Sequence, residues 1–98
     1  MSRDEIVAKL RAVEPELRVR GVAALYLFGS YARGEAREDS NVDVFIDKAP
    51  DRPFGLDELV DSHAIVERAL GSRVDYGTRE GLVRFYRPTI ESEALQVF

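Results

Sequence analysis

Residues Gly29–Asp47 read GSYARGEAREDSNVDVFID, and they follow an unbroken apolar run, Val22-Ala23-Ala24-Leu25-Tyr26-Leu27-Phe28. The run has the length and composition of a buried strand. Gly29-Ser30 breaks it, a charged loop follows, and a second apolar run from Val42 to Ile46 carries Asp43 within it. Glycine after a strand lets backbone N–H groups come close to a phosphate, and the hydroxyl of Ser30 can donate to a phosphate oxygen. A short helix starting near Ser30 would point its N-terminal dipole at the same place. Asn41 and Asp43 are two apart on a strand, so their side chains leave one face with Cα atoms about 7 Å apart, close enough to converge on one Mg²⁺. A carboxylate between Val42 and Val44 is costly unless something pairs with it. Asp43 is therefore the residue of this stretch that most needs an explanation.

Composition bounds the class. The chain has 98 residues, 45% of them apolar and 33% charged, and no cysteine. That predicts one small domain over residues 1–98, which on folding hides about 60–65% of its unfolded surface. Without cysteine there is neither a disulfide framework nor a zinc–thiolate site. No apolar run approaches the ~20 residues of a membrane span, and the N-terminus has no signal-peptide pattern, so the expected location is cytoplasmic with no membrane partner. A net charge of −4 argues against direct nucleic-acid binding, which favours a basic surface.

Along the chain, Ser2 is placed to cap a helix with Asp4 and Glu5 in its first turn. Ile6, Leu10, Val13 and Leu17 recur at helical spacing, with Pro15 dividing the stripe into a helix to about Val13 and a short turn closed by Gly21. Val22–Phe28 and Asn41–Asp47 are the first two strands, and residues 31–40 form a loop with at most a helical turn. Leu56 to Leu70 reads as a helix stopped by Gly71. Arg73–Tyr76 is a short third strand bounded by Gly71 and Gly77. Pro88 opens a last helix carrying Ile90, Ala94, Leu95 and Val97. The expected architecture is α+β, a mixed sheet with helices covering one face. His63, on the long helix, reads as structural.

The wording Phe28-Gly29-Ser30-Tyr31-Ala32-Arg33-Gly34-Glu35-Ala36, followed by Asp39-Ser40-Asn41-Val42-Asp43, resembles the signature of the DNA polymerase β-like nucleotidyltransferase superfamily. Within it the wording is similar to the minimal nucleotidyltransferase (MNT) branch, whose members pair with HEPN-domain toxins. The resemblance implies a palm-like fold and transfer of a nucleoside monophosphate from a triphosphate. Gly29, Ser30 and Arg33 would contact the nucleotide. Asp43, Asp75 and Asn41 would hold Mg²⁺, and Ser30, Asp43 and Asp75 would form the catalytic set. Asp75 enters because Leu70-Gly71-Ser72-Arg73-Val74-Asp75 matches the family's placement of a third acidic residue. The chain departs from the family at one position: Asn41 stands where the family writes Asp.

Taken singly these residues have plainer readings. A Gly-Ser pair ends many strands, Asp75 suits an edge strand, and the charges of residues 33–38 suit a solvated loop. Their joint order favours the chemistry. Two functions follow from the resemblance. One is an MNT antitoxin that moves AMP from ATP to a hydroxyl, by family precedent a tyrosine, of a HEPN ribonuclease toxin in a type VII-like toxin–antitoxin module. The other is an antitoxin of the same fold, impaired by Asn41, that neutralises the toxin by binding in a hetero-oligomer. Asp39 and Asp47 are the neighbouring acids that would have to make good the missing charge, and Asp47 lies about 13 Å along the strand from Asp43.

Overall fold

A computed structural model describes residues 1–98. Helix α1, Arg3–Ala12, begins where the Ser2 hydroxyl accepts the Glu5 N–H at 3.1 Å, and it buries Ile6 and Leu10. Helix α2, Glu14–Val19, has Pro15 in its first turn and buries Leu17. Strand β1, Val22–Phe28, runs into the short helix α3, Gly29–Arg33, and β2, Val42–Lys48, returns antiparallel to β1. Helix α4, Leu56–Leu70, carries the chain to β3, Val74–Thr78, which lies parallel to β2. A parallel pair needs such a crossover, because a hairpin turn cannot connect it. A single 3-10 turn, Arg79–Gly81, leads towards α5, Arg87–Glu93, and β4, Leu95–Gln96, closes the sheet in the order β3-β2-β1-β4.

Side-chain alternation divides the sheet into two unlike faces. Leu25, Leu27, Val42, Val44, Ile46 and Val74 pack with Ile6, Leu10, Leu17, Ile65, Val66 and Leu70 in one apolar cluster under α1, α2 and α4. Burial of each such side chain stabilises the fold by about 1.5–3 kcal/mol. A register shift between Val22 and Ala24 lets Val22 and Leu25, three apart, both reach that cluster. The other face carries Tyr26, Phe28, Asp43, Phe45 and Asp47. Tyr26 stacks on Phe45 with centroids 4.8 Å apart.

Three expectations change. Val74–Thr78 extends past Gly77, so this glycine lies inside β3 and does not bound it. The last helix stops at Glu93, and Leu95 and Gln96 pair antiparallel with Leu27 and Tyr26. The reason is the open edge of β1, whose backbone groups need partners: the Val97 N–H donates to Leu25 O at 2.8 Å and the Leu25 N–H to Phe98 O at 3.1 Å. Asp47, seen from the sequence as a neighbour of the metal residues, is taken by Arg79, whose Nε and Nη2 donate to its two oxygens at 2.7 and 3.0 Å.

Arg79 also donates to Glu91 of α5, and its guanidinium lies over Tyr26 and Phe45 at 4.9 and 5.0 Å from the ring centroids. Helix α5 buries no residue of its own. Ion pairs therefore hold it, with Arg79–Glu91 at one point and Arg33–Glu93, 3.2 Å, at another. The Arg79 pairs are partly shielded from water, so they are worth more than an exposed surface pair. Arg79→Met keeps the aromatic contact and removes the charge; it is expected to cost about 1–2 kcal/mol in denaturant titration. A change under about 0.5 kcal/mol would place Arg79 among ordinary surface residues.

Candidate active site

The site lies where β1, β2 and β3 end together on the face without α4. The register sets Phe28 opposite Asp43, and Asp43 opposite Asp75 on β3. Gly29 follows Phe28 directly and turns against the Asp43 carboxylate. Its φ is +73°, and a Cβ there would overlap Asp43 Oδ2 and stand 3.0 Å from Cγ. Both the left-handed backbone and the close approach require glycine. Ser30 sits in the first turn of α3, half-buried beside it.

Asp43 and Asp75 are close enough for one carboxyl to donate to the other. Burial pushes the Asp43 carboxyl up to about 6, from an ordinary 3.8; sharing a proton with Asp75 and the charge of Asp75 push the same way, and Arg33 opposes them. Two carboxyl groups so placed repel when both ionise, and a cation relieves them. A hard divalent cation with oxygen ligands fits this donor pair. No third His, Cys, Asp or Glu side chain joins them, so the remaining protein donor of the signature is the amide oxygen of Asn41. Asn41 is exposed and stands just before β2, two residues from Asp43. Asp39 lies in an exposed turn, and Asp47 is engaged by Arg79; neither replaces the carboxylate that Asn41 lacks.

Arg33 ends α3 and reaches both Glu93 Oε2 at 3.2 Å and Glu35 Oε1 at 3.5 Å. Arg33 also lines a cavity of about 550 Å³, whose wall includes Asp75, Gly77, Leu82, Tyr86 and Ile90. The structure thus brings Gly29, Ser30, Arg33, Asp43 and Asp75 to one end of the sheet. It adds Glu93 and the cavity wall, which the sequence did not reveal: Glu93 is 60 positions from Arg33, and no local pattern links them. His63 is structural, as its position suggested. Its Nε2 lies 2.8 Å from Val74 O, and its ring stacks on Tyr76 with centroids 5.2 Å apart.

Residues 9–97 match the profile of the family described as "Nucleotidyltransferase domain". The chain is 36% identical over 100 residues to the protein adenylyltransferase MntA of Thermococcus cleftensis, covering 99% of this chain and 97% of that one. A solved candidate minimal nucleotidyltransferase superposes with a TM-score of 0.82 at 32% identity, covering 97% of this chain and 95% of the other. A toxin–antitoxin crystal structure with AMP-PNP has the same fold, with a TM-score of 0.67 at 20% identity over 100% of this chain and 73% of that one. No helix is long and apolar enough to cross a membrane.

The raised carboxyl of Asp43 sets a pH dependence. Between 3.8, its ordinary value, and about 6 in the fold, the folded chain holds the proton more strongly than the unfolded one. The stability this gives is complete at low pH and is lost as pH rises through about 6. In EDTA, Asp43→Asn cannot ionise, so its melting temperature is expected to gain on wild type as pH rises from about 4 to about 7. A difference that stays flat over this range would show that the fold does not raise the Asp43 carboxyl.

Proposed function

The chain belongs to the nucleotidyltransferase domain family, and on that premise we propose that it is a protein adenylyltransferase antitoxin: it transfers AMP from ATP to a hydroxyl, a tyrosine by family precedent, of a HEPN ribonuclease toxin. The observation that carries this reading is the carboxyl pair Asp43–Asp75, held in register across β2 and β3 with Gly29 lodged against it. The 36% identity to a protein adenylyltransferase supports the same chemistry and the same kind of acceptor. The toxin–antitoxin likeness is one of fold and supplies the precedent for the partner.

In this reading the backbone at Gly29 and the Ser30 hydroxyl hold phosphate oxygens, and Arg33 exchanges part of its pairing with Glu35 and Glu93 for the triphosphate. Asp43, Asp75 and the Asn41 amide oxygen would hold Mg²⁺, which supplies positive charge where negative charge gathers on the phosphates. The acceptor oxygen bonds to the α-phosphorus, the bond from that phosphorus to the bridging oxygen breaks, and pyrophosphate leaves. Asp75, the more exposed carboxylate and a member of the cavity wall, is placed to take the acceptor's proton. The chemistry takes place in the cytoplasm, between two proteins and one nucleotide.

Asn41 favours a second reading. An amide oxygen can ligate Mg²⁺ but brings no charge, and a hard dication prefers carboxylate. The same fold would then neutralise the toxin by covering it in a stable hetero-oligomer, without ATP. Intact mass of a cognate HEPN toxin, after incubation with ATP, Mg²⁺ and either this chain or Asn41→Asp, separates the two. AMP increments with the natural chain are the expected result. Increments with Asn41→Asp alone support neutralisation by binding. No increment with either protein would overturn adenylylation of that partner.

A further inference from the structure

Gly77 lies inside β3 with no structural demand for glycine. A strand glycine weakens a sheet, and it is ordinarily explained by a positive φ, a bulge or a close neighbour. Gly77 is not among the glycines with positive φ, which are Gly21, Gly29, Gly34 and Gly71. The β2–β3 register runs unbroken from Val42↔Val74 through Phe45↔Gly77 to Ile46↔Thr78, so there is no bulge. A Cβ built at Gly77 meets no atom within 4 Å. What the residue lines instead is a cavity of about 550 Å³ that Gly29, Arg33 and Asp75 also line.

We propose that Gly77 is the floor of a slot for the nucleoside half of the nucleotide, and that it is a specificity-determining residue. The proposal rests on the function proposed above, with the phosphates at Gly29, Ser30 and Arg33. The cavity has the volume of a small-molecule site, and its wall is mixed in chemistry. Arg33, Asp75 and Glu93 bring charge to it, while Leu82, Tyr86 and Ile90 bring apolar surface. A molecule with one polyanionic half and one flat, weakly polar half fills such a cavity from end to end. Gly77 follows Asp75 by two positions, so both belong to one face of the strand. The bare backbone at Gly77 lets a ring lie against the sheet next to the catalytic carboxylate, where any side chain would stand in its way.

Two ligands and two variants test this. Binding of ATP and of inorganic tripolyphosphate, each with Mg²⁺, is measured by calorimetry for wild type, Gly77→Ala and Gly77→Val, alongside melting temperatures. Gly77→Val is expected to weaken ATP binding by about tenfold or more and Gly77→Ala by about threefold, the cost of overfilling a fitted space. Tripolyphosphate binding should stay within about twofold of wild type, since the slot takes no part in it. Melting temperatures should hold or rise, because both residues suit a strand better than glycine. ATP bound equally by all three proteins overturns the slot, as does a melting temperature that falls in both variants, which would make Gly77 structural. Unchanged ATP affinity with transfer to the toxin abolished would assign the slot to the partner's acceptor side chain and also overturn the proposal. Wild type that binds neither ligand removes the nucleotide reading itself, and the slot with it.

Discussion

Two carboxyl groups side by side at the ends of neighbouring strands are the constraint on which this molecule is built. Asp43 and Asp75 face each other because β2 and β3 run parallel in register, and parallel strands require the long crossover that α4 provides. Burial and like charge keep Asp43 from ionising at its ordinary pH. A fold selected for stability alone would set an apolar residue there. The cost is local, and the rest of the sheet offsets it: Val42 and Val44, on either side of Asp43, are buried among the helices of the opposite face.

That division of labour between faces explains the placement of the smaller elements. Helices α1, α2 and α4 share one apolar cluster with the sheet, whereas the other face is covered by aromatic rings, one arginine and a helix with no buried residue. Polar tethers fix α5, and its Ile90 and Glu93 line the cavity beside Asp75. At the other edge, β4 and the two residues after it supply the hydrogen bonds that β1 lacks.

Arg33 stands between these two regions. From α3 it answers the charge of Asp43 on β2 and that of Glu93 on α5, so the Asp43–Asp75 end of the sheet and the cavity wall share one cation. Pairing at this exposure is weak. Arg79, better shielded and held by two acids, is the fixed counterpart.

Much of this is legible in the order of the residues alone. The apolar runs, the Ser2 cap, the stop at Gly71 and the order Gly29-Ser30 to Asp43 are local patterns, because strand alternation, helix capping and a strand-ending turn depend on residues a few positions apart. They are enough to identify the α+β architecture and to mark Asp43 as a carboxylate in need of a partner. The resemblance to the nucleotidyltransferase signature adds Asp75 by its setting. Chain order does not show the pairings between distant positions: Asp47 spoken for by Arg79, Arg33 shared with Glu93, the C-terminal residues drawn from a helix into β4, and Gly77 opening onto a cavity. Each is decided by which backbone edge lacks hydrogen bonds and which charge lacks a partner once the sheet has formed. Those demands exist only in three dimensions.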